Sequence, residues 1–314
     1  MPGMPTISII ICSRNRADSL KKTLEAVERV LPEPEGSIEL IVVDNGSTDG
    51  TARIIADFAV TRPKVKALHE PRPGKAIALN RAAQAATGAI IVWLDDDVVP
   101  QPGWLENLTR PILEDEADLV AGSVIMAPHL SRDWMTLSHR DRLAEIDPAD
   151  GTGAIAGANL AVRKSVLEQT DGFDPRLGPG QLGFQEDSLL AHHIRSLGAR
   201  VVPARNAKVE HHFDPSRLLR SSWLKSAESL GRSCGYVAFH WEHGSITYPW
   251  LRGLRKRAQL MSWRLRHLSR LDPDREGISD DELACVQHIA YLDQYRLESR
   301  KPHAYEKRGV RRKY

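Results

Sequence analysis

Over the first hundred residues, short runs of consecutive apolar residues alternate with stretches of helical spacing or helix-forming composition. β-rich runs lie at 6–12 (TISIIIC), 38–44 (IELIVVD), 64–70 (KVKALHE) and 89–97 (AIIVWLDDD). The segments between them, 17–31, 49–60 and 74–88, read as helices. Strands alternating with helices predict βαβ units and an α/β fold with a mostly parallel sheet covered on both faces. In such a sheet ligands bind beyond the carboxyl ends of the strands. Here those ends carry CSRNR, DNGSTDGT and DDD, so polar residues converge on one rim.

From about residue 100 the pattern loosens. A strand is predicted at 117–126, a small-residue strand leading into a helix at 151–167, and two short strands within 199–213. Between the last two, 172–198 reads as a Gly/Pro-rich loop and a helix opening at Gln185 to Asp187. Beyond 215 the chain is helical and basic. The expected division is a catalytic domain over 1–214 and a helical extension over 215–314.

Composition narrows the class without naming a function. The 314 residues are 41% hydrophobic and 27% charged, ordinary for a globular protein with a sizeable core. A net charge of +2 gives no bulk argument for nucleic acid as a partner. Three scattered cysteines suit a reducing compartment better than a disulfide framework. With neither a signal-peptide pattern nor a run of ~20 apolar residues, the expected location is cytoplasmic.

The candidate chemistry begins with Asp95, Asp96 and Asp97, which follow a buried-looking run directly. Adjacent carboxylates repel and resist desolvation. In extended chain Asp95 and Asp97 face the same side, and their oxygens suit Mg²⁺ or Mn²⁺. The alternative is an exposed acidic turn. Asp44 ends a strand before an Asn-Gly turn, either as part of a capped turn or as an acceptor for a ligand N–H or O–H. Lys75 meets a phosphate or is a solvated first-turn lysine. Glu186 and Asp187 either cap a helix or supply a base, and His211 in VEHHF is a further ligand candidate, sharing a strand face with Val209.

In order and spacing, ISIIICSRNR, IVVDNGSTDGT, GKAIALNRA, GAIIVWLDDD, GANLAVRKSVLEQTDGFDP and EDSLLAHHIRSLG resemble the family 2 glycosyltransferases over roughly residues 6 to 213. CSRNR departs from the usual Pro-Thr-Tyr-Asn-Arg of that family. The resemblance implies a GT-A fold with a Rossmann-like sheet. It also implies inverting transfer from a nucleoside-diphosphate sugar to a hydroxyl on a glycan or lipid-linked acceptor, in polysaccharide or glycolipid synthesis. It implies that Ser13, Asn15, Arg16, Asp44, Lys75, Asn80, Asp95, Asp96, Gly157 and Asn159 bind the donor. Asp97, with Asp95 and His211, would hold Mn²⁺ or Mg²⁺, and Asp187, or else Glu186, would be the catalytic base. Two rivals are a sugar-1-phosphate nucleotidyltransferase, whose Gly-rich basic N-terminal loop is missing here, and a non-catalytic nucleotide-sugar binding module.

One segment stands outside that assignment. In 250–270, Leu251, Leu254, Ala258, Met261, Leu265 and Leu268 recur at helical spacing among seven basic residues with no acid. Either this stripe packs on the catalytic domain, or the helix lies on an anionic membrane surface.

Overall fold

The computed structural model describes residues 7–31, 38–148 and 155–314. Thr6 of the first expected strand and the opening of the 151–167 segment lie outside them. The strands are β1 (Ile7–Ser13), β2 (Ile38–Asp44), β3 (Val65–His69), β4 (Ile90–Leu94), β5 (Val98–Pro100), β6 (Leu119–Met126), β7 (Asn159–Arg163) and β8 (Val201–His211). The helices are α1 (Ala17–Val30), α2 (Thr51–Val60), α3 (Lys75–Ala85), α4 (Trp104–Leu113), α5 (Leu137–Arg142), α6 (Lys164–Leu167), α7 (Glu186–Ser196), α8 (Arg220–His240), α9 (Pro249–Arg266) and α10 (Asp280–Glu298).

The strands form one mixed sheet in the order β3-β2-β1-β4-β7-β6-β8-β5. Its first four strands are parallel, as the alternation predicts. β7 then runs antiparallel between β4 and β6. Alternating side chains of β1 divide between two cores. Ile7, Ile9 and Ile11 pack with Leu20, Leu24 and Val27 of α1 and Trp104 of α4. Ile10 packs on the other face with Ala76, Leu79 and Ala82 of α3 and Ile194 of α7.

The two short strands expected within 199–213 are one strand, β8. It runs parallel to β6, but its register breaks between Gly122 and Ser123: Ala204 pairs with Gly122, and Lys208 with Ser123. Residues 205–207 form a bulge, which is why the sequence pattern reads as two pieces. The Asn159 side chain plugs the bulge, donating to the carbonyls of Ser123 (2.9 Å) and Ala207 (2.8 Å) and accepting from Trp104 Nε1 (2.8 Å).

Compact packing divides the chain into two units. One comprises 1–131, 143–175 and 186–213, and holds the sheet. The other comprises 132–142, 176–185 and 214–314, and holds α5, α8, α9 and α10. In the second unit α8 and α10 pack closely because Gly231 and Gly235 of α8 meet the α10 backbone and side chains. The Gly-rich loop 176–185 belongs to this unit: the Phe184 amide donates to Ser233 Oγ at 3.0 Å. Among the described residues no helix is long and apolar enough to cross a membrane.

A Cβ on Gly122 would lie 2.2 Å from Asn159 Nδ2 and 2.7 Å from the Ala207 carbonyl oxygen. Gly122→Ala is therefore expected to cost about 1–3 kcal/mol by overpacking the plug. Urea unfolding would read this as a lowered midpoint, and an unchanged midpoint would show that the bulge relaxes freely.

Candidate active site

The carboxyl ends of β1, β2 and β4 meet at one rim, and the three aspartates after β4 sit there in a turn, with β5 beginning at Val98. They do not form the extended strand that would put Asp95 and Asp97 on one side. Asp95 turns to one cation, and Asp96 and Asp97 share another. Lys75, at the head of α3, pairs with Asp95. Asp96 accepts from Ser13 Oγ at 2.6 Å and from Arg16 at 3.0 Å. Asp97 accepts from Arg16 at 2.7 Å and faces His211 Nε2 at 3.3 Å. The repulsion foreseen from the sequence is thus relieved by the chain's own cations.

Backbone connections fix these partners. Arg16 follows Asn15, whose backbone is left-handed (φ 53°). The Asn15 side chain accepts from the Thr48 amide at 2.7 Å, tying the loop after β1 to the one after β2. β5 pairs with the end of β8 with Val98 opposite His211, and this register brings the imidazole to Asp97. His211 Nδ1 donates to the Leu143 carbonyl at 2.8 Å. With Nδ1 committed to that carbonyl, Nε2 faces a carboxylate, an arrangement that calls for a proton or a cation between them. Asp97 and His211 fit a divalent cation on that ground. Asp95 is turned to Lys75, and among the described residues no three His, Cys, Asp or Glu side chains are gathered as a ready metal cage.

Burial shifts the charges here. Desolvation, with Asp97 and Asp95 nearby, raises Asp96 to about 6 in spite of Arg16 and Ser13. Burial alone would lower Lys75, but Asp95, Glu186 and Asp187 outweigh it and raise its pKa, keeping the ammonium charged. Glu186 is buried in the first turn of α7, and desolvation, with Asp187 beside it, raises it to about 8. Asp187 is half-buried and accepts from the Gly157 amide (2.7 Å) and the Ser188 amide (2.6 Å), which aim its carboxylate. Lys75 lies in the field of both acids of α7 and of Asp95, so the two acidic motifs belong to one site.

Asp44 accepts from the Ser47 amide (2.9 Å) and pairs with His69 Nδ1 (2.9 Å). Two expected donor contacts have other tasks. Both ends of the Asn80 amide bond the Phe173 backbone at 2.8 Å, so Asn80 clamps that turn. Asn159 is fully buried with its amide spent on the bulge. Sequence reasoning passed over Asn45, whose side chain binds the carbonyls of Glu70 and Arg72 and the amide of Gly74. That residue holds the loop leading to Lys75, and its place in the Asp-Asn-Gly turn after β2 was the available signal.

The family pattern described as Glycosyl transferase family 2 matches residues 8–170, more than half of the chain. The chain belongs to that family. It is similar to glycosyltransferase AglE of Haloferax volcanii, with 36% identity over 122 residues, 38% of this chain and 40% of AglE. A glucosyl-dolichyl phosphate glucuronosyltransferase of the same organism is 23% identical over 236 residues, 69% of this chain and 74% of that protein. The chain thus spans less than half of the first relative's length. A solved mannosyltransferase, PcManGT of Pyrobaculum calidifontis in complex with GDP-Man and Mn²⁺, has the same fold, with a TM-score of 0.61 at 20% identity over 95% of this chain and 87% of that one. The fold is therefore GT-A.

A carboxyl whose pKa folding raises from 4.5 to about 8 stabilises the fold fully below 4.5, and progressively less as pH climbs through that window. Glu186→Gln, neutral at every pH, should leave stability near wild type at pH about 5 and raise it at pH about 8.5. Thermal melts at both pH values test this, and an equal shift at both would remove the case for a protonated Glu186.

Proposed function

We propose that the chain is a metal-dependent, inverting glycosyltransferase. It moves a sugar from a nucleoside-diphosphate sugar to an acceptor hydroxyl, with 1–214 as the catalytic domain and 215–314 as a helical extension. The observation that carries this reading is the aimed Asp187 carboxylate in the same charged cluster as Lys75 and the strand-end aspartates. Asp187 takes the acceptor's hydroxyl proton as that oxygen attacks the anomeric carbon. The bond from that carbon to the diphosphate breaks, its electron pair leaving with the diphosphate, and a single displacement inverts the centre. A positioned base of this kind typically contributes ~10²–10⁴ in rate. Glu186 is a poor base at neutral pH, because burial keeps its proton on.

Ser13, Asn15, Arg16 and Asp44 line the nucleotide end of the rim, while Lys75 and Asp96 stand nearer the sugar and diphosphate. Mn²⁺ or Mg²⁺, held by Asp97 and His211 with Asp95 as a further carboxylate, would supply Lewis-acid stabilisation of the departing diphosphate. The solved mannosyltransferase with GDP-Man and Mn²⁺ supports this class of donor and metal. The glucosyl-dolichyl phosphate relative supports a lipid-linked glycan as acceptor, and so a place in polysaccharide or glycolipid synthesis.

Two substitutions test the assignment. Asp187→Asn should lower kcat by about 10²–10⁴ while donor affinity stays within a few-fold of wild type. Turnover near wild type at saturating substrates would eliminate Asp187 as the base. Asp97→Asn should abolish the Mn²⁺-dependent gain in affinity for GDP or UDP, read by calorimetric titration. An equal gain in wild type and variant would remove Asp97 from the metal site.

A further inference from the structure

Helix α9 has two apolar faces, and only one is covered. Gly253 and Leu260 are buried, Trp263 is half-buried, and Arg264 and Arg257 on that side reach Glu282 and Asp293 of α10. Most of the stripe foreseen from the sequence lies on the other side, where Trp250 joins it, whereas Leu251 is half-buried. Trp250, Leu254, Met261 and Leu265 are 56%, 58%, 60% and 63% exposed, and Ala258 is exposed with them. At about 100° per residue these five fall within an arc of about 80°. Tyr248 and Leu268, each 66% exposed, extend the surface at either end. One exposed leucine is unremarkable, but a continuous apolar helix face marks an interaction surface.

Charge identifies the partner. Arg255 and Arg266 lie about 60° and about 80° beyond one edge of the arc and Arg252 about 120° beyond it, Arg270 follows the helix, all four are exposed, and residues 249–270 contain no Asp or Glu. A second copy of the chain joined through this face would bring like charges together, which disfavours it. We propose that the face is an interfacial anchor for an anionic lipid bilayer. The apolar arc enters the boundary between headgroups and acyl chains, and the long side chains of the arginines beyond its edge reach lipid phosphates. Tyr248 and Trp250 sit at headgroup level, where amphipathic rings are favoured. The inference rests on the helix alone and holds whatever the acceptor proves to be.

Co-sedimentation of the whole chain with phosphatidylglycerol and with phosphatidylcholine vesicles tests it. Wild type should bind the former at low salt, bind the latter weakly, and be released from phosphatidylglycerol as salt rises. The combined Arg252→Gln, Arg255→Gln and Arg266→Gln variant should lose on the order of 100-fold in partitioning to anionic vesicles. The combined Leu254→Ser, Met261→Ser and Leu265→Ser variant should lose at least about tenfold. Circular dichroism should match wild type for both, since the substituted positions are exposed. Three results would each overturn the proposal: wild type staying in the supernatant with anionic vesicles at low salt, undiminished binding by the serine variant, or a wild-type dimer in light scattering that the serine variant abolishes.

Discussion

Carboxylates withdrawn from water at a strand end demand cations, and the rim of this sheet is organised around that demand. Asp96 and Asp97 are almost wholly buried, and a single guanidinium, Arg16, bonds both. Arg16 reaches them because β1 and β4 are parallel neighbours with Ile11 opposite Leu94, so the loop after β1 lies beside the turn after β4. The third aspartate takes Lys75 from the head of α3. Removing one partner from such a cluster leaves an uncompensated buried charge, which costs far more than the intact pair contributes. These ion pairs tie the segments after β1 and β3 to the turn after β4. A charged ligand entering the rim meets groups already balanced against one another, and displaces or joins existing pairs.

Much of this was legible in the chain. Strand and helix periods differ, so the alternation over the first hundred residues and the four parallel strands followed directly from the pattern. The acidic residues were visible as candidates, but their directions were not. A turn at Asp96 and Asp97 replaced the extended geometry that two-residue spacing suggests. Asn80 and Asn159 illustrate a second limit: an amide near a site looks the same in sequence whether it faces a ligand or a backbone bulge. The stripe in α9 illustrates a third. Periodicity reveals that a helix has an apolar face, but only packing reveals whether anything covers it.

Glu186 and Asp187 show how far neighbours of similar chemistry can diverge. They are adjacent in the first turn of α7, yet one is buried and retains its proton, while the other is half-open and aimed by two amides. The proposed division, with Glu186 keeping its proton and Asp187 serving as the base, arises from the burial of Glu186 first and from the acid beside it second. Spacing in the sequence could nominate the pair without ranking its members.

The pairing of β5 with β8 has a consequence for how the chain tolerates change. His211 and His212 are adjacent and point to opposite sides of β8: His211 meets Asp97, whereas His212 pairs with Glu210 at 2.7 Å. Deleting or inserting one residue between the bulge and Phe213 would still present a histidine opposite Val98 or beside it, so composition and motif would look intact. A strand read one residue out of phase turns every side chain over, and the imidazole now at Asp97 would be exchanged for a neighbour. A change of length in the three-residue bulge at 205–207 is the place where such a slip could be offset.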